Sequence, residues 1–157
     1  MKHPKAWLPA MAWMGFIFLM SAAPGDVSGE QSGLLLRIVL AAYSALFGGA
    51  QMSPEILDLI HTLIRKAAHM SEYAVLALSF LYALRKNEAK RPLMTALLLS
   101  ALYAATDEIH QAFVPDRGPS PIDVMIDTAG AAIGLALHGL ACRIRYKHPG
   151  TRSFRLP

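Results

Sequence analysis

The sequence predicts an all-α, polytopic membrane bundle of about four transmembrane helices, near residues 6–23, 66–85, 93–112 and 121–142. An amphipathic segment near 34–47 is expected to lie in the outer interface. Three observations lead there. Apolar residue types make up 54% of the 157 residues and charged ones only 17%. Together with a mean hydropathy of +0.36, this is too apolar for an ordinary soluble domain of this size. The apolar residues fall in runs of the length a bilayer requires. The basic residues stand in short blocks at the ends of those runs, as topology determinants do. The whole chain, 1–157, is expected to be one domain, with no room for a separate soluble catalytic unit. A net charge of +4 and a pI near 9.4 do not point to nucleic acid, because the charges do not form one basic face. Cys142 is the sole cysteine and has no Cys or His at metal-ligand spacing, His138 and His148 being the closest. It reads as an inert residue near a helix end.

The first apolar run, from Ala6 or Trp7 to Ala23, follows the basic Lys2, His3 and Lys5 and stops at Pro24-Gly25-Asp26. Ser21-Ala22-Ala23 would suit signal peptidase, but Trp7, Pro9 and Trp13 interrupt the core of such a signal, so an uncleaved first span is expected. Leu34 to Phe47 is apolar yet carries Arg37 and is fenced by Gly29, Gly33, Gly48 and Gly49, which suits a helix lying in the interface. Ser53-Pro54-Glu55 opens a helix with a capping hydroxyl, a proline at its first position and an acid in its first turn. That helix can run unbroken to about Leu84, with Ile56, Leu57, Ile60, Leu63 and Ile64 opposite Glu55, Asp58 and His61. The polar stretch from Arg85 to Pro92 ends it. The third span, from Leu93 to Ala112, is followed by a turn over Pro115-Asp116-Arg117-Gly118-Pro119. Ser120-Pro121-Ile122-Asp123 then starts the fourth, which Arg143, Arg145, Lys147 and His148 close.

Orientation follows from the basic blocks. Lys2 and Lys5, the loop with Arg85, Lys86, Lys90 and Arg91, and the tail with Arg143, Arg145, Lys147, Arg152 and Arg155 fall on one side, expected to be cytoplasmic, if the chain crosses four times. Both termini are then cytoplasmic, in the inner membrane. Arg65 and Lys66 depart from the rule by lying outside.

With that orientation the acidic and imidazole side chains on the second to fourth spans, His138 apart, map to the outer ends. Lys66, His69, Glu72 and Tyr73 share one helical face. Asp107 and Gln111 are four apart, flanked by Glu108 and His110. Asp123 and Asp127 are four apart and lead into Gly130 and Gly134. Ionisable groups at such depth are expensive unless paired, hydrated or functional, so their coincidence on three helices marks a candidate site.

The order and spacing Arg65-Lys66-x-x-His69-x-x-Glu72-Tyr73-x-x-Leu76, Asp107-Glu108-x-x-Gln111-x-Phe113-x-Pro115-x-Arg117 and Asp123-x-x-x-Asp127-x-x-Gly130-x-x-x-Gly134 resembles the VanZ-like family of bacterial membrane proteins. The resemblance covers residues 65–134 and hardly touches 1–64. It implies a cell-envelope setting and an association with resistance to the glycopeptide teicoplanin, but no particular reaction. Where many relatives carry Asn before the Gly-x-x-x-Gly, this chain has Asp127, which would alter the charge or metal affinity of a shared site.

Each of these residues also has a structural reading. Asp123 completes a Ser-x-x-Asp capping box with Ser120. Gly130 and Gly134 form a helix-packing motif. Arg65 and Lys66 would anchor to lipid phosphates. His61 and His110 read as interfacial, and His138 as buried or cytoplasm-facing. His69, Glu72, Asp107, Glu108 and Arg117 could form a buried polar network with no further role. Three functions compete. In the first, an outer pocket binds or modifies a lipid-linked or cell-wall precursor or a phospholipid headgroup, with Lys66, Tyr73, Gln111, Arg117 and Asp123 as binding residues and Arg117 suited to a bidentate anion contact. In the second, His69, Glu72, Asp107, Glu108 and Asp127 serve a membrane-embedded hydrolase or transferase, either by holding a divalent cation of the magnesium, manganese or calcium kind or with His69 as general base. In the third, the same acids relay protons or ions for a small carrier.

Overall fold

A computed structural model describes residues 2–22, 37–45, 52–115 and 117–147. Among them 85% are helical and none lies in a strand. A 3-10 turn, Pro4–Trp7, leads into α1, Leu8–Ser21. A short helix α2 covers residues 37–45 and is mostly exposed, at the centre of the expected interfacial segment, whose ends lie outside the described residues. Three long helices follow: α3, Pro54–Lys86, α4, Pro92–Gln111, and α5, Pro121–Lys147. Each begins on a proline, which fixes φ and has no N–H to leave unsatisfied in the first turn.

Two of these helices, α3 and α5, are long and apolar enough to cross a membrane. At 1.5 Å per residue the 33 residues of α3 reach about 50 Å, against about 30 Å of hydrocarbon, so its first turns must project beyond any bilayer it crosses. Ser53 stands at the N-cap of this helix, but its hydroxyl makes no capping bond to the backbone. It bonds instead to the Glu55 carboxyl, which together with Glu55's own N–H holds that group below the usual carboxylate range.

The buried faces follow helical periodicity. Ala10, Ile17 and Ser21 on α1, Tyr73, Leu76, Ala77, Phe80, Leu81 and Leu84 on α3, Ala96, Ser100, Ala104, Asp107, Glu108 and Gln111 on α4, and Asp127, Ala131 and Leu135 on α5 meet in one interior. α3 packs most extensively against α5, with α4 against both and α1 laid across α3 and α4. The α3–α5 contact is close because Gly130 and Gly134 face it. A Cβ on Gly130 would strike the Met70 backbone, and one on Gly134 would sit 2.8 Å from Ala74 Cβ. The Gly-x-x-x-Gly is therefore a packing contact, as its structural reading expects. Trp13 Nε1 donates to the Glu72 carbonyl at 2.8 Å, and Tyr103 OH to the Met14 carbonyl at 2.6 Å, fixing α1 against its neighbours.

Opposite ends of the bundle differ in chemistry. At one, the His3 backbone N–H donates to Asn87 Oδ1 at 3.0 Å, Lys2 pairs with Glu88, and Arg85 meets His138 Nε2 at 2.9 Å. Cys142, free and exposed, lies 3.6 Å from the same nitrogen. Glu88 ends α3 there in the left-handed region, φ 57°. The Ala89 N–H bonds back to the Leu84 carbonyl at 3.0 Å and that of Glu88 to Arg85 at 3.1 Å, which is a Schellman closure with glutamate where glycine is usual. At the other end lie the C-terminus of α1, the start of the α3 span and the α4–α5 turn.

Candidate functional site

The polar end holds a cavity of about 290 Å³, walled by Arg65, Lys66 and His69 from α3, Glu108 and Gln111 from α4, Arg117 and Gly118 from the connecting turn, and Asp123, Ile126 and Asp127 from α5. Its floor is set by the α3–α5 crossing, since Asp127 stands one turn before Gly130 and His69 directly before Met70.

Across this opening Lys66 Nζ contacts Asp123 Oδ1 at 2.7 Å, with both side chains about a third exposed. The Asp123 N–H also donates to Ser120 Oγ at 3.3 Å. Asp123 thus serves the helix cap through its backbone N–H only, while its carboxylate turns to Lys66, so the expected capping box is closed on one side. Ser120's own N–H is taken by Glu108 Oε2 at 2.7 Å. Burial, and then the neighbouring Arg65 guanidinium, lower the pKa of Arg117 from its ordinary value, although a guanidinium stays charged at any relevant pH.

Of the expected site residues, Lys66, His69, Glu108, Gln111, Arg117, Asp123 and Asp127 line the cavity; Glu72, Tyr73 and Asp107 do not. Asp107, 4% exposed, lies behind the wall. Its Oδ2 accepts Ser21 Oγ at 2.8 Å and Gln111 Nε2 at 3.2 Å. Tyr73 is fully buried, its ring 6.4 Å from that of Tyr103, and Glu72 is half-buried below the α1 contact. The stripe His69-Glu72-Tyr73 is therefore split. Spacing put these side chains on one face, but α1 packs over part of that face. Among the described residues three buried oxygens have no hydrogen-bond partner near here: Tyr73 OH, Asp107 Oδ1 and Asp127 Oδ1.

Ser21 is a site-supporting residue that spacing did not single out, and Ser120, expected as a cap, also anchors Glu108. Ser21 ends an apolar run and resembles a cleavage-site residue; nothing local to it points to an aspartate 86 positions away. His110 stacks on Phe18 with ring centroids 4.4 Å apart.

Among the described residues no three His, Cys, Asp or Glu side chains converge closely enough to hold a metal ion by themselves. Among the described residues the buried carboxylates are Asp107, Glu108 and Asp127, all at the polar end.

Neither the curated proteins nor the solved structures contain a match to this chain. The family model VanZ/LLP1 matches residues 6–142, well beyond the 65–134 that carry the motif resemblance, and the chain belongs to the VanZ/LLP1 family.

Proposed function

We propose that this is a multi-pass protein of the bacterial inner membrane, with four spans and both termini cytoplasmic, whose cavity opens to the outer leaflet and binds the phosphate-bearing headgroup of a lipid or lipid-linked envelope precursor. A membrane setting follows from the family and from two helices apolar enough to cross a bilayer. Four spans are supported by an inside-out distribution: large apolar side chains such as Met11, Leu19, Leu63, Leu98, Leu102, Met125 and Leu137 face outward, while carboxylates are buried. The observation that carries the binding reading is a pair of arginines, Arg65 and Arg117, at the cavity. No ion pair holds either among the described residues, and guanidinium forks suit phosphate. Engagement of such a precursor would alter susceptibility to teicoplanin-type antibiotics, in keeping with the family resemblance.

Cysteine labelling from outside intact cells tests the topology. In a Cys142→Ser background, Gly118→Cys should react with an impermeant reagent and Lys90→Cys should not; the reverse pattern removes the outer-leaflet cavity. Arg117→Ala should then lower both lipid retention and teicoplanin tolerance.

A second reading, an intramembrane hydrolase or transferase with His69 as general base, is favoured by His69, Glu108 and Asp127 lining the same cavity. Turnover of lipid-linked phosphate substrates by the wild type but not by His69→Gln would establish it.

A further inference from the structure

The polar groups of the cavity are not equally committed. Lys66 is neutralised by Asp123, and Glu108 Oε2 is occupied by the Ser120 N–H. What remains is a pair of cations, Arg65 and Arg117, the His69 imidazole and Gln111 amide, and the Asp127 carboxyl. Asp127 is 1% exposed, lines the cavity, and has an Oδ1 with no hydrogen-bond partner.

A buried carboxylate oxygen without a donor calls for one. A bare phosphate would suit the arginines and leave Asp127 unmatched, and a hydroxyl would donate a hydrogen bond without favouring the ionised carboxyl. A metal ion would need more ligands than converge here. An ammonium supplies both donor and charge.

We infer that the cavity takes an aminophosphate headgroup, with the phosphate held by Arg65 and Arg117 and the primary ammonium by Asp127. The inference rests on the proposed headgroup-binding reading and gives it a substrate class: an ethanolamine-type phospholipid, or a soluble phosphoethanolamine of the same chemistry.

The test uses the full-length protein in nanodiscs containing equal fractions of phosphatidylethanolamine, phosphatidylglycerol and phosphatidylcholine, with retained lipid quantified after extraction into detergent. Phosphatidylethanolamine should be retained about tenfold or more over the other two, the ratio expected of one charge-assisted hydrogen bond. Asp127→Asn, nearly isosteric, should abolish that preference, and Arg117→Gln should lower retention of all three. With the wild type, where no variant has to fold, soluble phosphoethanolamine should displace bound lipid better than glycerol phosphate does. Displacement only by the lipid form assigns the lipid as source; displacement by both forms assigns the shared headgroup. Equal retention of ethanolamine and glycerol lipids, both lost in Arg117→Gln, would overturn the ammonium assignment and leave the headgroup cavity standing. No retention of any lipid, with no effect of Arg117→Gln, would remove both.

Discussion

Glu108, in the last turn of α4, accepts the backbone N–H of Ser120, at the start of α5, through Oε2 at 2.7 Å. In a capping box that N–H would go to the acid at the third helical position, here Asp123. Because α4 supplies the acceptor, the Asp123 carboxylate is released to reach Lys66 on α3. One exchanged hydrogen bond therefore ties three helices together around the cavity.

Removing the acceptor should loosen the α4–α5 turn. Glu108→Ala is expected to destabilise the protein by about 1–3 kcal/mol, the range for losing a charge-assisted bond and stranding a donor. Glu108→Gln, which keeps an acceptor oxygen, should lose roughly half as much. Thermal unfolding of the detergent-solubilised protein gives the comparison, and equal losses for the two variants would contradict the capping role.

Ser120 and Asp123 should separate cleanly. Ser120→Ala deletes the hydroxyl that accepts the Asp123 N–H and should cost about 1 kcal/mol, as N-cap losses do. Asp123→Asn leaves that bond in place and removes only a partly exposed ion pair, worth about 0–1 kcal/mol. It also frees Lys66, so binding of anionic lipid should strengthen while stability barely changes. Weaker lipid binding in Asp123→Asn would mean that the carboxylate itself contacts the ligand.

The α3–α5 crossing predicts a graded glycine series. Gly130→Ala meets Met70 backbone, which cannot swing aside, and should cost about 1–3 kcal/mol or prevent assembly. Gly134→Ala meets Ala74 Cβ at 2.8 Å with the Ala74 Cα at 3.0 Å behind it and should be milder, with partial recovery in the double variant Gly134→Ala, Ala74→Gly. Gly139→Ala has open space around it and should be neutral or slightly stabilising, since alanine favours helix by about 1 kcal/mol. A flat response across all three positions would refute the close crossing.

Glu88 holds a positive φ at the end of α3. Glycine there relieves the steric penalty, so Glu88→Gly should raise stability by about 0.5–1 kcal/mol. The exposed pair with Lys2 offsets this little, and Lys2→Ala alone should leave the unfolding temperature where it was.

These predictions differ in how far the sequence foretold them. That α3, α4 and α5 exist, and that α3 and α5 start at Ser-Pro steps, was legible because proline, capping residues and 3.6-residue apolar spacing act within a few positions of themselves; Pro92, read as the end of the preceding loop, instead opens α4. Co-location of Lys66, His69, Glu108, Gln111, Arg117, Asp123 and Asp127 was legible for a related reason: polar groups at matching helix ends have few places to go in an apolar bundle. The Gly130–Gly134 contact was readable too, since small residues four apart allow backbones to approach.

Tertiary structure alone decided which face of each helix turned inward. Glu72, Tyr73 and His69 share a stripe in sequence, yet only His69 reaches the cavity, because α1 lies over α3 and Trp13 bonds to the Glu72 carbonyl. Asp107 became an interior residue through Ser21, 86 positions earlier, and Glu108 became the cap of a helix other than its own. Helix formation depends on neighbours three and four residues away and is written locally. Helix rotation and partner choice depend on how every side chain in the bundle fills the shared interior, and no single segment of the sequence carries that information.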